Sequence, residues 1–265
     1  MIELLLVISI IALLIAMTLP TLANARKAAH AVQCSSNLRQ FMTALNIYAT
    51  DNPTLPYTNS ASGENPSTSD FWGSTTSSTP SPGWLYRGPI DPSQGGDDNY
   101  DPQRRQDGAL WDYLRTGDVY HCSMDIARNQ PTGDARSLTS YVMNRAMNGW
   151  NQTLPQRPAW AIDAFKNPSD AVAMWEGDET FSDPETQVQD LSNPNGHWND
   201  GNNDPDSQGP SLRHNEAGSV GFLDGHVEAW SWLRYFDVAL RTDETQPNEL
   251  FCNPGTSHGG LPPSD

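Results

Sequence analysis

Residues 1–52 are MIELLLVISIIALLIAMTLPTLANARKAAHAVQCSSNLRQFMTALNIYATDN. An almost unbroken apolar run extends from Leu4 to Met17, with Glu3 directly before it and Pro20 shortly after it. Further along, apolar side chains recur at spacings of three and four, at Leu38, Phe41, Met42, Leu45 and Tyr48. That spacing is typical of a helix with one apolar face. The stretch therefore predicts one helix of about 50 residues, roughly 75 Å long at 1.5 Å per residue.

The charge is divided unevenly along the chain. The net charge is −17, but residues 1–52 carry Arg26, Lys27 and Arg39 against Glu3 and Asp51, a net of +1 that leaves −18 on the remainder. Because nucleic-acid binding needs clustered lysine and arginine, we expect no nucleic-acid partner. Apolar residues make up 36% and charged residues 18% of the chain, so uncharged polar residues, Gly and Pro dominate. This composition favours a loop-rich extracellular domain.

The apolar run fits neither a secretory signal peptide nor a simple anchor. A signal peptide begins with basic residues, whereas no Arg or Lys precedes Arg26. A transmembrane anchor fits the length better, but a carboxylate such as Glu3 is costly in lipid without a partner. Arg26 and Lys27 follow the run, which for an ordinary anchor would place the acidic remainder in the cytoplasm, against its composition.

The N-terminal residues resemble a known family. IELLLVISIIALLIAMTLPTL (residues 2–22) is similar to the start of class III signal peptide proteins, the type IV pilins and type II secretion pseudopilins. Glu3 matches the family glutamate and Pro20 the helix-kinking proline. The family glutamate lies two residues further from the processed end. We therefore expect either that two mature residues precede Met1 or that the cleavage register differs.

A second resemblance lies near the C-terminus. His214, the nine residues NEAGSVGFL, and then Asp224-Gly225 match the H-x9-DG signature of a large pilin-like group. Residues 25–52 also resemble that group. VYHCSMD (residues 119–125) is similar to its C-P-S-D segment, and SYVMN (residues 140–144) to its next strand.

The resemblance implies an assembly mechanism. A prepilin peptidase removes a leader, the new N-terminus is methylated, and the subunit waits in the cytoplasmic membrane with its head outside. Pilus or secretion machinery then moves it into a helical filament, where Glu3 pairs with the N-terminal amine of a neighbouring subunit. The resemblance also implies a kink near Pro20. The domains would be an assembly helix (residues 1–52; apolar half 1–23, amphipathic half 24–52) and an acidic head (residues 53–265).

The sequence of the head predicts short helices and short strands. The predicted fold class is therefore α+β with an antiparallel sheet. GALWDYLRTGDVYHC (residues 108–122) predicts a short helix that stops at Gly117, followed by a strand. Strands are also predicted over SLTSYVMN (residues 137–144) and over residues 171–175, the latter after a turn at residues 167–170.

SVGFLDGHVEAWSW (residues 219–232) predicts a hairpin with a type I′ turn at Asp224-Gly225. Asp224 and Gly225 then serve the turn, and His214 packs or hydrogen-bonds next to the hairpin. Two other roles stay open for His214, as a metal ligand or as part of a catalytic pair with Asp224. No nucleophile accompanies that pair.

Two binding features of the head stay open. Asp200, Asn202, Asp204 and Asp206 place oxygen atoms at alternate positions, as calcium loops do. Pro205 replaces the glycine that an EF-hand needs, so the alternatives are a simpler Ca²⁺ loop or a solvated acidic loop. Among Cys34, Cys122 and Cys252, only Cys122 and Cys252 can pair within the head, although nothing in the count demands a disulfide. The histidines show no zinc-like spacing.

Three functions compete at this point. The first is a pilin or pseudopilin, a structural subunit without enzymatic activity that needs no cofactor besides optional Ca²⁺. The second is a membrane-anchored extracytoplasmic binding protein that never polymerises. The third is a hydrolase built on His214 and Asp224. The first predicts an extracellular or envelope-spanning filament with a membrane pool before assembly.

Overall fold

The computed structural model describes residues 2–56, 83–86, 102–125, 138–148, 160–177, 201–203, 209–239 and 248–251. Its helices are α1 (Ile2–Asp51), α2 (Trp111–Leu114) and α3 (Trp232–Ala239). Its strands are β1 (Tyr141–Asn144), β2 (Val172–Glu176), β3 (Asn202–Asn203), β4 (Ala217–Phe222) and β5 (Val227–Ser231). The strand order is β3-β1-β2-β4-β5. All pairs are antiparallel except β1 with the two-residue β3. The α+β prediction is confirmed.

The long helix forms as predicted. α1 contains Pro20 and continues through it without interruption. Proline removes one helical hydrogen bond, which the surrounding turns of a long helix tolerate at a cost. The kink that we expect near Pro20 in an assembled filament stays a prediction.

The amphipathic half of α1 packs on one face of the sheet. The side chains of Leu38, Phe41, Met42 and Leu45 are fully buried there, as their spacing predicts. Gly221 on β4 permits this approach, because a Cβ at that position would lie only 3.0 Å from the Met42 Cγ and Sδ atoms. The helix therefore lies almost directly on the strand backbone.

The opposite face of the sheet is covered by α3. Its side chains Tyr235 and Phe236 join a second core with Trp175 of β2 and Trp230 of β5. Trp175 belongs to this second core, whereas its neighbour Met174 packs with α1 in the first. Because side chains alternate along a strand, Glu176 at the end of β2 lies on the α1 side.

One predicted strand is wrong. Residues Asp118–Tyr120 form a 3-10 turn, because the C=O of Gly117 and of Asp118 accept hydrogen bonds from residues three positions later. The helix before it ends earlier than predicted, at Leu114. Arg115 ends α2 with a φ of 53°, in the left-handed conformation common after a helix C-terminus.

Candidate assembly surface and signature site

The apolar half of α1 makes no buried contact within the described chain. Every described side chain from Glu3 to Ala29 is exposed. The large apolar side chains of this part are each at least half exposed, and they are Leu4, Leu6, Val7, Ile8, Ile10, Ile11, Leu13, Leu14, Ile15, Met17, Leu19 and Leu22. The helix is long and apolar enough to cross a membrane, a property that anchors and signal sequences share. Such a continuous apolar surface needs lipid or protein around it.

Hydroxyl groups within this apolar surface are satisfied by the helix itself. Ser9, Thr18 and Thr21 each donate a hydrogen bond to the carbonyl three residues earlier, at 2.7, 3.1 and 2.8 Å. An unpaired hydroxyl would be costly in an apolar environment. Glu3 is therefore the charged exception at the start of an otherwise self-satisfied segment.

The contacts between the helix and the head begin directly after the exposed part of α1. His30 Nδ1 lies 2.6 Å from the Ser123 Oγ atom, and Cys34 is fully buried. Tyr141 donates a hydrogen bond to the Cys34 carbonyl at 3.2 Å. Burial starts here and continues along the amphipathic half.

A tight turn positions the signature histidine. Asn215 and Glu216 have φ values of 57° and 62°, and the His214 N–H donates to the Ala217 carbonyl at 3.3 Å. Positive φ at both central residues is the condition for a type I′ turn. The sequence pattern predicts that turn at Asp224-Gly225, which is wrong because Gly225 alone of those two has a positive φ, 99°.

The hairpin itself is confirmed, since β4 and β5 pair from Ala217↔Ser231 to Gly221↔Val227. Its loop is closed by the Gly225 N–H donating to Phe222 at 2.9 Å and the Phe222 N–H donating to His226 at 3.0 Å. Such three-residue loops place glycine in the positive-φ position. Gly225 therefore serves the backbone.

His214 and Asp224 do not meet. His214 precedes the first residue of β4, whereas Asp224 follows its last residue. Asp224 instead contacts His226, with Oδ1 2.6 Å from Nδ1. The catalytic His214–Asp224 pair is therefore not formed, and His214 hydrogen-bonds to the hairpin at Ala217, the first residue of β4.

The surroundings of His214 were not predicted by sequence. Its Nε2 atom lies 3.4 Å from Cys122 Sγ and 3.2 Å from Glu176 Oε1. Cys122 Sγ lies 2.6 Å from Cys34 Sγ. All four side chains are buried, and one ligand atom from each lies within 4.8 Å of the others. They come from four separate segments, so no local spacing indicates the cluster.

The cluster has an unusual electrostatic environment. Burial disfavours ionised Glu176, but its contacts with His214 and Arg213 outweigh burial and lower the pKa of its carboxyl. Burial likewise opposes the charged imidazolium, yet Cys122 and Glu176 raise the pKa of His214 to about 10. The neighbouring Cys34 thiol and burial together raise the pKa of Cys122. Without a metal, the cluster therefore holds the His214–Glu176 ion pair beside the uncharged Cys122 thiol.

Arg213 connects this ion pair to the rest of the head. Its guanidinium lies 3.6 Å from Glu176 Oε1 and 3.4 Å from Asp125 Oδ2. Asp125 also accepts a hydrogen bond from Ser140 at 2.6 Å. Ser140 in turn accepts one from the Cys122 N–H at 2.9 Å. The segment resembling C-P-S-D is thus fixed to the start of β1.

The other predicted sites lie mainly outside the described residues. Of the candidate calcium ligands, Asp200, Asp204 and Asp206 lie outside the described residues. Asn202 is the first residue of β3. Cys252 is also outside, so the Cys122–Cys252 disulfide stays a prediction. In the structure, the sulfur atom next to that of Cys122 belongs to Cys34 on α1.

Comparisons of the chain with protein-family models, with curated proteins and with solved structures find no match.

Proposed function

We propose that this chain is a structural subunit, a pilin or pseudopilin, that polymerises through the apolar half of α1 into an extracellular or envelope-spanning filament. The observation that carries the proposal is the division of α1. At one end of a single helix the described apolar side chains are at least half exposed, while the other end buries a full face in the head. The resemblance at Glu3 and Pro20 and the H-x9-DG signature point to the same function.

The hydrophobic effect explains why this exposed apolar segment needs a cover of lipid or protein. Each large aliphatic side chain gains about 1.5–3 kcal/mol when it is removed from water. Lipid tails and a bundle of similar helices are nearly equal in this respect, however, because both are apolar. Burial from water therefore stabilises the segment about equally in a membrane and in a filament, and it does not favour either of them.

Glu3 favours the filament over the membrane. In lipid an ionised carboxylate has no partner and is costly. In a filament, the N-terminal amine of a neighbouring subunit would neutralise it and fix the axial position of one subunit against the next. Packing between helices adds to this preference. The acidic heads would then form the filament surface, where their charge keeps them solvated.

The test is to image what the cells release. Material sheared from cells producing the full chain should contain filaments that an antibody against the head labels along their length. A membrane-bound chain with no labelled filaments, under conditions where the assembly machinery is present, would contradict the proposal. That result would favour the membrane-anchored binding protein instead.

A further inference from the structure

We propose that Cys34, Cys122, Glu176 and His214 bind one zinc ion, which fastens the assembly helix to the head. The site does not depend on polymerisation, so its test is separate from that of the proposed function. Cys34 comes from α1, Cys122 from the segment after the 3-10 turn, and Glu176 from the end of β2. His214 comes directly before Asn215 and Glu216, the two positive-φ residues that lead into β4.

The donor set fits zinc. Structural zinc sites have four ligands in a tetrahedron, drawn from thiolates, imidazoles and carboxylates. Two thiolates exclude calcium and magnesium, which prefer oxygen ligands. All four side chains are buried, so no position is open to solvent, as expected of a structural rather than a catalytic site.

The spacing of the donor atoms agrees with this geometry. Ligands at about 2.0–2.3 Å from a tetrahedral ion lie roughly 3.2–3.8 Å from one another. The Cys122–His214 and His214–Glu176 separations of 3.4 and 3.2 Å fall in that range. The two sulfur atoms, 2.6 Å apart, must separate by about 1 Å to bind the ion. Rotation about the cysteine side-chain bonds provides such a movement.

Glu176 favours a metal over a disulfide. Its side chain is completely buried, and its Oε1 atom lies 3.2 Å from His214 Nε2 and 3.6 Å from the Arg213 guanidinium. A disulfide between Cys34 and Cys122 would use two of the four donors and leave the carboxylate as it is. A metal ligates the carboxylate together with both sulfurs and the imidazole. An ion uses all four converging donors, so it accounts for more of the site than a disulfide does.

Binding needs no oxidant. The thiol protons of Cys34 and Cys122 and the proton on His214 Nε2 leave to solvent as the ion enters, and no electron is transferred. Because zinc stabilises thiolates directly, it reverses the tendency of the buried Cys122 thiol to stay protonated. Arg213 then offsets part of the negative charge that the three anionic ligands bring.

The experiment measures metal in the full chain. The wild-type protein is isolated in detergent without added chelator or reductant, and zinc is determined by inductively coupled plasma mass spectrometry. We expect about one zinc per chain, and X-ray absorption showing two sulfur ligands at about 2.3 Å with lighter ligands at about 2.0–2.1 Å. Cys34→Ser and His214→Ala should each lower the zinc content at least tenfold, whereas the control His226→Ala keeps it.

A second measurement avoids the folding of variants. Wild-type chain exchanged into Co²⁺ should develop the thiolate-to-metal absorption of a tetrahedral site. Isolation of the chain without zinc would overturn the proposal, whether the cysteines are free or form a disulfide. Mass spectrometry distinguishes these two cases, because the disulfide form lacks two hydrogen atoms. A zinc content unchanged in Cys34→Ser would overturn it as well, as would an absorption spectrum without sulfur ligands.

Discussion

The sulfur atoms of Cys34 on α1 and Cys122 in the head lie 2.6 Å apart, across 88 residues of sequence. A contact of this kind fixes both the rotation of α1 about its axis and its position along the head. Two further contacts act at the same level of the helix, where His30 meets Ser123 and Asn37 donates to the His121 carbonyl. The head therefore contacts α1 through polar and sulfur atoms directly after the exposed part of the helix ends.

Metal removal should loosen this junction. If zinc binds only the folded chain, it stabilises that chain by about 2.7 kcal/mol at a free concentration 100 times its dissociation constant. We expect chelation to lower the denaturant concentration at which half of the wild-type chain is unfolded. Tryptophan fluorescence measures this midpoint. The Cys34→Ser variant should not respond to the chelator. Equal midpoints for loaded and chelated wild type would speak against a structural metal.

The buried face of α1 should dominate the stability of the head. Phe41 is fully buried, with its ring centroid 5.5, 5.0 and 5.4 Å from those of Trp84, Tyr120 and Tyr141. Phe41→Ala should therefore lower the free energy of unfolding by about 3–5 kcal/mol. Val32→Ala is the matched control, because Val32 is 72% exposed on the same helix. A loss below about 1 kcal/mol for Phe41→Ala in urea unfolding would show that the helix does not complete the core.

The turn that positions His214 should be strained. Glu216 has a φ of 62° and an exposed side chain, a conformation that costs non-glycine residues about 1–2 kcal/mol. Glu216→Gly should relieve this cost and raise stability by about 0.5–1 kcal/mol after the greater freedom of unfolded glycine is subtracted. Glu216→Ala removes the same carboxylate and keeps the strain, so it should give no gain. Equal thermal midpoints for the two variants would contradict the assigned turn.

Glu3 should matter for assembly and not for membrane insertion. Glu3→Ala should leave the chain in the membrane fraction and reduce sheared filaments at least tenfold, because the pairing of adjacent subunits is lost. An exposed acid in the head, Asp112, provides the control, and Asp112→Ala should assemble normally. Immunoblots of the sheared and membrane fractions measure both. Filament yield from Glu3→Ala equal to that of the control would remove Glu3 from the mechanism.

Periodicity predicted much of the fold. The spacing of Leu38, Phe41, Met42 and Leu45 identifies the helix face that meets the head, and the dipeptide Asp224-Gly225 locates the hairpin. These features depend on neighbours in the sequence. The wrong strand at residues 118–120 shows the limit of such patterns, because a short apolar segment is compatible with either a strand or a 3-10 turn.

The buried cluster could not be predicted in the same way. Cys34, Cys122, Glu176 and His214 belong to four segments, and their meeting depends on how α1 is rotated on the sheet. Glu176 follows four buried residues of β2, and sequence alone gives no reason to place a carboxylate there. The α3 helix had a usable signal, since Trp232, Tyr235, Phe236 and Ala239 recur at helical spacing.

The most direct test of the filament proposal is cryo-electron microscopy of the assembled material. We expect the apolar halves of α1 from neighbouring subunits to fill the filament core, with Glu3 next to an N-terminal amine and a kink or melted segment around Pro20. The acidic heads should lie on the surface. A polymer held together by head contacts alone, with residues 4–22 still embedded in lipid or detergent, would contradict the account.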